Sequence, residues 1–178
     1  MKRALAISLA TLLLIVSALS APAQAAIRPC ADINGSSALS SYVVDGPGNV
    51  PDEAILSIQI TTVEPLCSNA TLSVFVSTDG NTFTEYTYPG DSRFISCGAN
   101  CVTFTFNFGS TDKAKSSIAP PAVSVYLATI IGAHVVDRAP DNGSVPFVLC
   151  DFDPKTKNYD ANGSVIPPCS PPGGEFFE

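Results

Sequence analysis

Hydrophobic residues recur at every second position along much of this chain. Leu56, Ile58 and Ile60 alternate with Ser57, Gln59 and Thr61, and Leu72, Val74 and Val76 alternate with Ser73 and Ser77. Phe83 sits in an alternating stretch that runs to Tyr88, and Val102, Phe104, Phe106 and Phe108 alternate with Thr103, Thr105 and Asn107. A period of two places the apolar set on one face of a pleated strand and the polar set on the other. Strands are therefore predicted over 54–62, 71–77, 82–88 and 102–108. Phenylalanines two apart share a face, so the fourth strand should carry much of the core. The same aromatic row would suit sugar stacking, but its partner face already supplies the solvated side, and core packing is the preferred reading.

Residues 122–137 are dominated by Val, Ile, Tyr and Thr. Side chains branched at Cβ are stiff in helices and pack well on a pleated surface, which predicts one bent strand or two, broken near Gly132. Val145, Phe147 and Leu149 start a further strand that runs to about Phe152. Residues 26–53 are rich in Ser, Gly, Pro and Asn and read as an extended lead-in with one strand near Tyr42 and Val44. From Ile166 the chain continues Pro-Pro-Cys-Ser-Pro-Pro-Gly-Gly, a run expected to hold neither ladder nor helix, with Cys169 as its tether. No apolar repeat at helical spacing and no internal repeat is present.

Thr78-Asp79-Gly80-Asn81 separates two alternating runs, and Asp-Gly there is a strong hairpin signal because Gly accepts positive φ freely. The Val-Ser-Thr-Asp-Gly-Asn-Thr-Phe-Thr-Glu run at 76–85, opened by Val76 and closed by Glu85, resembles a hairpin of exported immunoglobulin-like and discoidin-like sandwich domains. The resemblance implies a fold type and assigns no functional residue. Short strands divided by turn clusters predict an all-β fold, an antiparallel β-sandwich that is immunoglobulin-like or jelly-roll-like and stabilised by disulfides. The sandwich should occupy 54–165, after the lead-in at 26–53 and before a Pro/Gly-rich tail at 166–178.

Charge and cysteine usage narrow the setting. Lys2 and Arg3 precede an uncharged apolar run at 4–19, and Ala23-Gln24-Ala25 supplies a small-x-small site. This pattern predicts a secretory signal over 1–25, cleaved between Ala25 and Ala26. The run is short for a bilayer span, and no cysteine marks a lipid anchor, so the mature chain is expected to carry no membrane anchor and to be secreted or periplasmic. Cleavage removes two basic residues and leaves seven against sixteen acidic ones, a net charge of −9. Such a surface repels nucleic acid. The six cysteines, Cys30, Cys67, Cys97, Cys101, Cys150 and Cys169, read as three disulfides in an oxidising compartment. The pairs preferred are Cys97 with Cys101, across a short turn, then Cys150 with Cys169 and Cys30 with Cys67.

Candidate chemistry is sparse. His134 is the only histidine, which excludes blue-copper and multi-histidine zinc sites. Asp137 lies three residues away, but residues three apart on a regular strand face opposite sides, so the two are not expected to meet. No Gly-x-Ser-x-Gly motif is present. The five glutamates, Glu53, Glu64, Glu85, Glu175 and Glu178, form no evident pair for glycoside hydrolysis. Asp151, Asp153, Asn158, Asp160 and Asn162, followed by Gly163, resemble part of a calcium loop, but Cys169 stands where a bidentate Glu would close it. Turn chemistry is the preferred reading there, and no metal or cofactor is expected. Sequons at Asn34, Asn69, Asn142 and Asn162 mark exposed turns, expected to be unglycosylated.

These features lead to the expectation of a secreted, non-catalytic binding or structural protein. Its partner would be a glycan, a cell-envelope component or another protein. The alternatives are a small secreted hydrolase using His134 or an acidic pair, and a calcium-dependent adhesion module. Intact-mass measurement of the exported protein should give a chain beginning at Ala26; an exported chain retaining Met1 would contradict the signal assignment.

Overall fold

The computed structural model describes residues 28–44, 53–110, 123–147, 149–151, 164–168 and 175–177. The strands are β1 (Ala38–Val44), β2 (Glu53–Thr61), β3 (Ala70–Ser77), β4 (Phe83–Tyr88), β5 (Phe94–Gly98) and β6 (Cys101–Ser110). They are followed by β7 (Val123–Ile131), β8 (His134–Ala139), β9 (Val145–Phe147), β10 (Cys150–Asp151) and β11 (Glu175–Phe176). They form two sheets. One has the order β10-β1-β2-β6-β5, with β11 also on β1; the other has the order β4-β3-β7-β8, with β9 also on β7. The pairings are antiparallel except that of β1 with β10.

The alternation seen in the sequence is the alternation of burial. Leu56, Ile58 and Ile60 of β2 and Leu72, Val74 and Val76 of β3 are all buried. With Phe104, Val125 and Leu127 they belong to one apolar cluster between the sheets. The phenylalanine row of β6 packs as core: Phe104 is fully buried, Phe108 is buried, and Phe106 packs against the cluster. Rings from opposite sheets meet there, Tyr86 lying 5.4 Å from both Phe104 and Phe106, and Tyr88 lying 5.8 Å from Phe94. The Arg93 guanidinium covers this flank, 4.8 Å from the Tyr86 ring centre and paired with Asp91 at 2.9 Å.

Both turns proposed from the sequence form. From Val123 the chain forms two strands, β7 and β8, with Gly132 at φ +64° in the connection between Ile131 and His134. In the β3–β4 hairpin, Ser77 pairs with Phe83 and Gly80 takes φ +77°. The Asp79 carboxylate organises this loop by accepting from the backbone N–H of Thr82 at 2.7 Å and of Asn81 at 2.8 Å, and from the Ser77 hydroxyl at 3.0 Å.

Three features depart from the pattern. β1 starts at Ala38 and runs for seven residues, deep in what the composition presents as a lead-in. Its inward set is Leu39, Ser41 and Val43, all buried, so a serine at the middle position interrupts the apolar signal. β5 places one apolar side chain, Phe94, in the core and turns Ile95 out to solvent, so it has no readable alternation. Beyond the Pro- and Gly-rich run the tail holds a short ladder: Glu175 pairs with Leu39 and Phe176 with Ala38, and Phe177 is 1% exposed. The edge of β1 away from β2 supplies the hydrogen-bonding partner at Ala38 and Leu39, and burial of Phe177 supplies the driving force.

The segment before β1 joins the two sheets. A 3-10 turn at Pro29–Ala31 places the Ala31 carbonyl to accept from the buried Thr129 hydroxyl of β7. The Ile33 N–H donates to the Asp137 carboxylate of β8 at 2.7 Å. On the other side Asn34 N–H donates to Thr61 at 2.7 Å, and Ile33 bridges Thr62.

Hydrogen bonds from Thr82, Asn81 and Ser77 hold Asp79 at about 2, below its ordinary 3.8. These bonds favour the ionised form in the fold, so their contribution is complete above pH 3.8 and is lost as the pH falls through about 2. Asp79→Ala should therefore melt below the parent at pH 7, with the difference closing as both are acidified. A constant difference from pH 7 to pH 2 would contradict the assignment.

Candidate functional site

The sheets do not fill the space between them completely. At the end of the sandwich where β2 and β4 finish and β3 and β6 begin, a cleft of about 250 Å³ remains. Ile60 and Val102 line it from one sheet, and Leu72 and Tyr88 from the other. Ala70 and Pro89 also line it, and two loops form most of the remaining wall. The β2–β3 connection contributes Pro65, Leu66, Cys67 and Ser68, and the β5–β6 turn contributes Gly98, Ala99, Asn100 and Cys101.

Each loop carries a disulfide: one ties the β2–β3 connection to the segment before β1, and the other closes the β5–β6 turn. Cys30 bonds Cys67 with Cα atoms 5.3 Å apart, and Cys97 bonds Cys101 with Cα atoms 5.0 Å apart. Both are pairs preferred from the sequence. Cys150 is also disulfide-bonded, while Cys169, its expected partner, lies outside the described residues. The two loops are tied to each other as well. Thr62 N–H donates to the Asn100 carbonyl at 2.9 Å, and Asn100 Nδ2 donates to the Thr62 carbonyl at 2.9 Å. The Thr62 hydroxyl donates to the Glu64 carbonyl at 2.6 Å.

The lining has an apolar floor and a few hydroxyl and amide groups, with no Asp, Glu, His, Lys or Arg among its residues. Its two cysteine sulfurs are locked in disulfides and are not nucleophiles. The arrangement suits desolvation and hydrogen bonding, not proton transfer.

The candidate catalytic groups lie elsewhere. His134 is exposed at the start of β8. The expectation that it and Asp137 face opposite sides is corrected by an irregularity in the strand. Ile131 pairs with His134, and Thr129 pairs with Asp137, so the register shift between them returns both residues to the same face. Asp137 is nevertheless occupied: Oδ2 accepts from Ile33 N–H at 2.7 Å and Oδ1 from Arg138 N–H at 2.8 Å. It anchors the N-terminal segment. Glu53 and Glu85 project from the outward faces of different sheets. Glu53 accepts from Asn107 Nδ2 at 2.9 Å, and Glu85 accepts from the Ser73 hydroxyl at 2.7 Å. The thickness of the sandwich lies between them, so they flank no common cleft. Glu64 is exposed on the β2–β3 connection.

Of the oxygen-rich cluster, Asp151 is buried in β10, where its N–H donates to the Pro167 carbonyl at 2.8 Å. Asp153, Asn158, Asp160 and Asn162 lie outside the described residues. Among the described residues, no group of three or more His, Cys, Asp and Glu side chains is placed to hold a metal ion. Asn69 and Asn142 are exposed, while the Asn34 side-chain oxygen accepts from Ser36 N–H at 3.0 Å within its turn.

An aromatic ladder that no local pattern announces lies on the outward face of the second sheet. Phe75 of β3 stacks on Tyr126 of β7 with centroids 4.4 Å apart and planes 8° apart. The Arg138 guanidinium of β8 lies 4.1 Å from the Tyr126 centroid, and Phe83 meets the same ring edge-on at 5.1 Å. These residues stand in different strands, so only the pairing Phe75–Tyr126 and the neighbouring β8 register bring them together. Phe75 and Arg138 both lie against the Tyr126 ring, so that ring is engaged within the sheet.

No known protein family, curated protein or solved structure matches this chain.

The two disulfides should differ in weight. Closing a loop with a sequence separation of 37 is worth about 4 kcal/mol in the chain-entropy estimate, against about 2 kcal/mol for a separation of 4. Urea unfolding of Cys30→Ala/Cys67→Ala should show the larger loss, and Cys97→Ala/Cys101→Ala the smaller. The reverse order would mean that the N-terminal clamp contributes little.

Proposed function

We propose that this chain is an exported, non-catalytic binding or structural module built on an immunoglobulin-like sandwich. The observation that carries the reading is the inter-sheet cleft, whose lining offers shape, apolar surface and neutral polar groups but no acid, base or free thiol. Acyl, glycosyl and phosphoryl transfer each need a positioned proton donor, acceptor, nucleophile or cation. Of the carboxylates considered for such a role, Asp137, Glu53 and Glu85 are taken up by structural hydrogen bonds, and Glu64 is exposed outside the cleft lining.

The immunoglobulin-like part of the reading draws on strand order. Lettered in chain order, with β4 as the extra strand C′, β1-β2-β6-β5 corresponds to A-B-E-D and β4-β3-β7-β8 to C′-C-F-G. Those are the two sheets of immunoglobulin-type sandwiches. The hairpin resemblance at 76–85 falls on strands C and C′ of this scheme. Such a fold hosts many functions, so it supports a binding role by analogy alone.

Export is supported by the N-terminal pattern together with the disulfides, which persist in oxidising compartments. No helix among the described residues is long and apolar enough to cross a membrane. The acidic balance of the chain disfavours nucleic acid, leaving a small molecule, a glycan, an envelope component or a protein as partner.

Purified disulfide-bonded protein, offered a panel of ester, peptide and glycoside substrates, should show no turnover above background. Turnover that His134→Ala abolishes while leaving the fold intact would overturn the non-catalytic reading.

A further inference from the structure

We infer that the inter-sheet cleft is a binding site for a small neutral molecule with an apolar ring or short chain and one hydrogen-bonding group. This inference rests on the binding reading above and gives it a location and a ligand class. Size comes first. A dry cavity of about 150 Å³ accepts a benzene-sized molecule, and drug-sized ligands occupy clefts from about 300 Å³ upward. At about 250 Å³ the cleft fits a single substituted ring or an equivalent short chain.

Polarity comes second. Ile60, Leu72 and Val102 give apolar walls, and Tyr88, Ser68 and Asn100 add hydroxyl and amide chemistry to the lining. A charged ligand would lose its hydration without gaining a counter-charge, since the lining holds none; that cost is severe for a buried ion. An anion is disfavoured further by the net charge of the chain, −7 with its N-terminal basic residues included. A neutral ligand escapes both costs.

Preorganisation comes third. The two loops that form the outer wall are fixed by Cys30–Cys67 and Cys97–Cys101 and joined by the paired hydrogen bonds between Thr62 and Asn100. A wall held before binding avoids the ordering cost that a mobile loop would add.

The test uses one ring with three charges: benzyl alcohol, benzoate and benzylammonium. Each is titrated into isotope-labelled, disulfide-bonded protein and followed by amide chemical shifts. Benzyl alcohol should give saturable shifts at Ala70 and at residues 99–102, with cross-relaxation from its ring protons to Leu72 and Val102 methyls. Benzoate and benzylammonium should bind at least about tenfold more weakly, because a charge in this lining is unpaired. Ala99→Trp, at an exposed turn position in the wall, should weaken benzyl alcohol by a similar factor while retaining a dispersed spectrum. Should that variant unfold, the methyl contacts in the parent protein still locate the ligand. Three results would overturn the inference: no saturable shift, shifts centred outside the cleft, or equal affinity for the three charges. Each would leave the non-catalytic reading intact, because that reading fails only if substrate turnover is found.

Discussion

Burial of one face of each sheet against the other is the interaction on which the rest of this molecule depends. Complete burial of a Leu, Ile or Val side chain is worth roughly 1.5–3 kcal/mol, and β2 and β3 each contribute three such positions in alternation. The alternation has a geometric consequence. A strand slipped by one residue would turn its apolar set to water, so the same residues that stabilise the sandwich also hold the pairing register. The register shifts in β6 next to Gly109, in β5 between Ser96 and Gly98, and in β8 between His134 and Asp137, and Phe108 and Ala139 stay buried beside the first and last of these.

The outer strands need other means. β1 has one long neighbour, β2; its free edge is covered by two short segments, β10 and β11, contributed by the last part of the chain. The segment before β1 reaches across to the second sheet through Thr129 and Asp137 and is held to the first by Thr61 and Cys67. These contacts close one end of the sandwich. The same construction leaves the cleft, because Pro65, Leu66 and the β5–β6 turn cross the gap without filling it. Stability and the candidate site therefore share a cause: loops stapled across the end of two sheets hold their own shape and need no further core residues beneath them.

The chemistry of the described residues follows the same economy. Asp79 organises a turn, Asp137 captures a backbone N–H, and Glu53 and Glu85 accept from side chains on neighbouring strands. Carboxylates used in this way are spent on backbone and hydroxyl donors that would otherwise lose hydrogen bonds on burial or ordering. The histidine sits at an exposed strand end, away from the cleft lining. What remains at the cleft is shape and neutral polarity.

The sequence by itself determined the strands whose two faces differ in polarity. β2, β3, β4 and β6 are readable from alternation alone, and the Asp79–Gly80 turn and the break at Gly132 from the conformational freedom of glycine. Two of the preferred disulfides were also readable, one because four residues of separation close a turn and the other by the remaining count. Tertiary structure alone decided the rest. β5 and β11 exist because a neighbouring edge offers hydrogen bonds, and neither carries an alternating pattern of its own. The Phe75–Tyr126–Arg138 ladder and the cleft join residues far apart in the chain, and each side chain in them is unremarkable in its local context. The facing of His134 and Asp137 turned on one extra residue in β8, which periodicity counted on a regular strand cannot register. Local pattern encodes which face of a strand is buried; which strands meet, and what space they leave between them, depends on pairings that only the folded chain creates.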